Sequence, residues 1–86
     1  MELLLSVEDH FMLTGRGLVL APDVPLAHGN DNPVCAVIVE RPDGTRLPAM
    51  AELRLDHFRP AGYKLIVCLP RLNKTDVPVG SKIWKV

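Results

Sequence analysis

Residues 51–56 read Ala51-Glu52-Leu53-Arg54-Leu55-Asp56, an unbroken alternation of apolar and charged side chains. Successive side chains of an extended chain point to opposite faces, so this pattern assigns Ala51, Leu53 and Leu55 to a buried face and Glu52, Arg54 and Asp56 to water. That is the period of a half-buried β-strand. Just upstream, Arg41-Pro42-Asp43-Gly44-Thr45 combines a preset φ with an Asp-Gly pair suited to positive φ, which predicts a tight turn. The apolar run Val34 to Glu40 on its other side then becomes the antiparallel neighbour of the strand from Arg46 to Phe58.

The same reading extends along the chain. Eight prolines, spread from Pro22 to Pro78, exclude long helices because each fixes φ and removes an N–H. Short apolar runs separated by Gly, Pro, Asn and Asp clusters are the pattern of an all-β sandwich or barrel. Candidate strands are Glu2 to Val7, Leu18 to Ala21, Val34 to Glu40, Arg46 to Phe58, Tyr63 to Leu69 and Ser81 to Val86. So many strands in a small domain leave exposed edges unless the sheet curls shut. The expected fold is therefore all-β, a small closed or nearly closed barrel of about six mostly antiparallel strands, formed by residues 1–86 as a single domain. His28-Gly29-Asn30-Asp31-Asn32-Pro33 is polar, lacks apolar periodicity and reads as a surface loop.

Composition narrows the function. A chain of 86 residues holds one modest core. Its 48% hydrophobic and 23% charged residues fit a folded domain rather than a disordered one. Lys plus Arg and Asp plus Glu both number 10, so the long-range field that gathers nucleic acid is missing and no strong general nucleic-acid binding is expected. No apolar run reaches membrane-spanning length, and Met1-Glu2-Leu3-Leu4-Leu5 has the wrong charge and length for a signal peptide. The two cysteines, Cys35 and Cys68, lie in separate apolar runs and read as free buried thiols, with a disulfide as the alternative. The expected compartment is the cytoplasm.

Linear motifs for chemistry are weak. Asn73-Lys74-Thr75-Asp76 has the form of a guanine-reading motif, but no Gly-x-x-x-x-Gly-Lys-Ser/Thr phosphate loop accompanies it, and a polar turn accounts for it. His10, His28 and His57 are far apart, without zinc-ligand spacing. Asp9-His10 and Asp56-His57 are neighbours on strands and point to opposite faces. Neither Ser6 nor Ser81 sits in a nucleophile elbow. The chain is accordingly read as no enzyme, with no catalytic residue, metal or cofactor. Trp84 could stack on a base, though a place in the core or at the barrel lid suits it better. Arg54, Arg59, Lys64 and Arg71 could form a basic cluster, offset by Glu52 and Asp56.

One family resemblance spans the chain. Val7-Glu8-Asp9, then Phe11, then Gly15-Arg16-Gly17 resembles the opening of the second-domain β-barrel of translational GTPases, the elongation factor Tu family, without the GTPase domain. The run from Cys68 to Leu72, followed by Asp76-Val77, Val79-Gly80 and Ile83, is similar to that barrel's closing segment. Ala21-Pro22-Asp23-Val24-Pro25 departs from the family's usual turn. The central hairpin loop, only Arg41 to Thr45, is short for the family's aminoacyl-tRNA pocket. The resemblance implies a non-enzymatic binding module that docks on a protein or ribonucleoprotein surface, with the ribosome as the family's partner and Gly15, Arg16 and Gly17 as partner-binding residues. The competing reading of that corner is that the glycines merely turn the chain and Arg16 points into solvent. The alternative function is a regulatory or small-ligand-binding β-barrel unrelated to the ribosome, with its mouth near His28 to Asn32.

Overall fold

In a computed structural model that describes residues 1–26, 33–60 and 62–86, seven strands form one antiparallel sheet. They are β1 (Glu2–Ser6), β2 (Asp9–Leu13), β3 (Gly17–Val24), β4 (Val34–Glu40), β5 (Arg46–Phe58), β6 (Gly62–Leu69) and β7 (Lys82–Lys85). Their order across the sheet is β1-β7-β4-β5-β6-β3-β2. The all-β class, the antiparallel pairing and the six expected strands are present. The seventh, β2, is a strand that alternation does not reveal. Asp9, Phe11, Met12 and Leu13 are all exposed and His10 is half-buried, so neither face of the strand is deeply buried. It is a strand because it pairs with β3, from Asp9 opposite Ala21 to Leu13 opposite Gly17.

The sheet does not close into a barrel. Its terminal strands, β1 and β2, are consecutive in the chain and lie at opposite ends of the hydrogen-bonded order. The linker between them bonds to the inner neighbour of each. The Val7 N–H donates to the Ser81 carbonyl (2.8 Å) and the Val7 carbonyl accepts from Gly80 (2.9 Å), while the next amide, Glu8, donates to Ala21 beside β2 (2.9 Å). One bent segment thereby continues both the β1–β7 and the β2–β3 pairings, while the outer sides of β1 and β2 remain the two ends of the sheet.

The core is built from the inward rows. Leu18, Leu20, Val37, Val39, Val67, Leu69, Val77 and Ile83 are essentially inaccessible. Fully burying such side chains is worth about 1.5–3 kcal/mol each, more than any single turn hydrogen bond, so this cluster dominates stability. Leu4 and Leu5 are both buried although adjacent, because the β1–β7 register shifts between Leu3 and Leu5 and a bulge turns two successive leucines inward. The β3–β6 register shifts between Leu20 and Val24, and Pro22, which has no N–H to give a ladder, lies within that shift.

The central hairpin is as the sequence predicts. Arg41 donates to the Thr45 carbonyl (2.8 Å), Gly44 donates to the Arg41 carbonyl (2.9 Å), and Gly44 takes φ +88°. The alternation at 51–56 holds for Ala51 and Leu53 but not for Leu55, which is 58% exposed. The cause is register: β4 begins with Val34 opposite Glu52, the Leu53 N–H still donates to the Pro33 carbonyl (2.7 Å), and beyond Leu53 the pairing of β5 among the described residues is with β6. Cys35 and Cys68 are free. Cys35 pairs with Ala51 and Cys68 with Glu52, neighbouring positions that face opposite ways, so the two thiols project from opposite faces of the sheet.

Candidate functional site

The Gly15-Arg16-Gly17 corner is the tip of the β2–β3 hairpin. The Arg16 N–H donates to the Leu13 carbonyl (3.1 Å), and Gly15 and Gly17 take φ of +84° and +77°. The two glycines serve different needs. A Cβ on Gly15 would meet nothing within 4 Å, so Gly15 is required for its backbone angle alone. A Cβ on Gly17 would stand 2.6 Å from the Pro70 Cα, so Gly17 also permits a close backbone approach.

Arg16 does not point freely into solvent. Its guanidinium forks onto the carboxylate of Asp56 on β5, with Nη1 donating to Oδ2 and Nη2 to Oδ1 (3.0 Å). In the sheet order β6 lies between β5 and the hairpin that carries Arg16, so the pair fastens that hairpin to a strand that is not its neighbour. The Asp56 hydrogen bonds, and then its charge, raise the Arg16 pKa above its ordinary value. Bidentate geometry makes this a strong form of ion pair, although both partners remain partly exposed and salt screens them.

Around the pair, Phe11, Leu13, Val19, Phe58 and Ile66 line a cleft of about 220 Å³. Cys68 lies on the same face as Glu52 and is buried, and burial pushes its thiol pKa up while Arg16 and Arg54 pull it partly back. Pro70, which Gly17 approaches, also lines a larger apolar groove of about 700 Å³. Val34, Ala36 and Ile38 of β4 stand opposite Glu52, Met50 and Pro48 of β5, and Pro70, Arg71, Leu72 and Val86 are among the other residues of the lining. Met50 is 55% exposed and Val34 42%.

Other residues singled out by the sequence are committed to local contacts. The His10 Nδ1 donates to the Val77 carbonyl (2.7 Å). His57 stacks on Tyr63 with ring centroids 4.7 Å apart, on the face opposite Asp56. His28 and the loop at 28–32 lie outside the described residues. Asn73-Lys74-Thr75-Asp76 is a polar turn, in which the Asn73 N–H donates to Asp76 Oδ2 (2.9 Å) and the Thr75 N–H to Asn73 Oδ1 (3.1 Å). Trp84 is not in the core: it is half-buried beside Ile83, which is fully buried, and its indole N–H donates to Glu40 Oε1 (3.1 Å). Arg54 pairs with Glu52 (3.5 Å) and Lys64 sits over the Phe58 ring at 5.6 Å, so these two cations are drawn to separate partners. Among the described residues, no group of three or more His, Cys, Asp or Glu could hold a metal ion, and no helix is long and apolar enough to cross a membrane.

Sequence reasoning located the corner but missed Asp56 as its partner, and missed the groove. Asp56 is 40 positions from Arg16 and carries no local sign of the pairing. The groove did leave a trace. Val34, Ala36, Ile38, Pro48 and Met50 are the apolar outward positions of two strands whose inward rows were already apolar.

Comparison with protein-family models, with curated proteins and with solved structures found no match to this chain.

Proposed function

We propose that this domain is a non-enzymatic binding module that docks on a protein or ribonucleoprotein surface in the cytoplasm. The observation that carries the reading is the groove of about 700 Å³ on the outer face of β4 and β5, where Val34, Ala36, Ile38, Pro48, Met50 and Val86 leave apolar surface in water. Such contiguous exposure is costly in a soluble domain and is characteristic of interaction sites. The Gly15-Arg16-Gly17 corner adjoins it through Pro70, and Asp56 holds Arg16 in one orientation. The translational setting, with a ribosomal surface as partner, rests on the resemblance of Val7-Glu8-Asp9, Phe11 and Gly15-Arg16-Gly17 to the second domain of translational GTPases.

The volume of the groove also lies in the range of small-molecule pockets, which favours a regulatory or small-ligand-binding β domain as the second reading. Capture of partners from a cytoplasmic extract at low and moderate salt, with identification of bound protein and RNA, separates the two. The docking reading expects a defined partner that is retained by Leu55→Glu, an exposed change outside the groove, and lost with Met50→Glu. Contacts to RNA phosphates would weaken as salt rises, whereas apolar docking would change little. Capture of nothing, or equal capture by both variants, overturns the docking reading.

A further inference from the structure

We infer that the free edge of β2 is a pairing surface for a second copy of this chain. Among the described residues β2 ends the sheet, and it pairs on one side with β3 in an uninterrupted register from Asp9 to Leu13. In an antiparallel pair, alternate residues turn their backbone groups away from the neighbour. His10 is one of these. Its N–H is taken by Asp9 Oδ1 at 2.8 Å, so a carboxylate of the same strand stands where the carbonyl of a further strand would be. Two residues on, Met12 turns its N–H and C=O the same way.

Natural edges are protected by shortness, by charged side chains and above all lysine, by proline or by a bulge. The five-residue stretch Asp9-His10-Phe11-Met12-Leu13 has no lysine, proline or bulge and a single charge at its first residue, and Phe11, Met12 and Leu13 are all exposed. The edge is also held in place, because the His10 ring is anchored to the Val77 carbonyl from the face below.

The edge is complementary to itself. About a two-fold axis through Phe11, an antiparallel copy sets Phe11 against its equivalent, His10 against Met12 and Asp9 against Leu13 of the second copy. No acid faces an acid. Met12 of one copy donates to the His10 carbonyl of the other, and the Asp9 carboxylate yields its place to the Met12 carbonyl. The result is an isologous contact that extends both sheets into one.

Sedimentation of the whole chain over a concentration series tests this, expecting a species of twice the 9.5 kDa chain mass. Phe11→Lys and Phe11→Glu, at an exposed position, each place like charges across the axis and should each be monomeric. An equimolar mixture of the two should recover the dimer. Met50→Glu should leave the dimer unchanged, which separates this result from the docking reading. A second readout needs no variant: hydrogen exchange of the Met12 amide should slow as the concentration rises. A wild-type chain monomeric at its highest soluble concentration, a dimer unaffected by Phe11→Lys, a mixture that stays monomeric, or Met12 exchange independent of concentration would each overturn the inference.

Discussion

Arg16, at the tip of the β2–β3 hairpin, grips both carboxylate oxygens of Asp56 on β5, although β6 lies between those elements in the sheet. The ion pair ties the corner to a part of the sheet that its own hairpin hydrogen bonds do not reach. Removing either partner should therefore destabilise the fold, and removing both should cost less than the sum of the single changes. A double-mutant cycle with Arg16→Ala and Asp56→Ala, read by urea denaturation, measures that coupling. Strict additivity would show that the two side chains do not act as a pair. The coupling should shrink in high salt, since both groups are partly exposed.

The two glycines of the corner should respond unequally to alanine. Gly15→Ala meets only the cost of positive φ in open space, about 1 kcal/mol. Gly17→Ala adds a clash with the Pro70 backbone to the same angular strain and should cost about 2 kcal/mol or more. Equal melting temperatures for the two variants would contradict the close approach of Gly17 to Pro70.

Leu53 and Leu55 share an alternation pattern but not an environment. Leu53→Ala should cost about 2–5 kcal/mol, as expected for a leucine packed in the core. Leu55→Ala should change stability by less than about 0.5 kcal/mol, since the side chain is mostly in water. A large loss from Leu55→Ala would mean that the end of β5 is covered.

Burial raises the Cys68 thiol pKa, so the folded chain holds this proton to higher pH than the unfolded chain, where a thiol ionises near about 8.5. Its contribution to stability is full at neutral pH and is lost as the pH rises through that value towards the raised folded pKa. Between about pH 7 and 10, the urea midpoint should fall more steeply for the wild type than for Cys68→Ala, whatever the offset between them. Parallel curves would remove Cys68 as the source. The same burial should make Cys68 slow to react with thiol reagents, and slower than the half-buried Cys35.

What could be read directly from the residues followed local rules. Alternation marked β5, Asp43-Gly44 marked the turn that pairs β4 with β5, and the glycines at 15 and 17 marked a corner. Each depends on period two, on φ or on a neighbour a few positions away, and so survives without knowledge of the rest of the chain. Tertiary structure decided what depends on partners far along the chain. β2 exists as a strand because β3 pairs with it, not because its own residues alternate. Leu55 lies in water because β4 begins opposite Glu52, and Arg16 is held because Asp56, 40 positions away, is brought within hydrogen-bond reach. The groove likewise needed β4 and β5 in register before Val34, Ala36, Ile38, Pro48 and Met50 became one surface. A sequence carries the preference of each residue for a face. Which faces meet is settled only when the strands have an order and a register, because a shift of one residue turns every side chain to the other side.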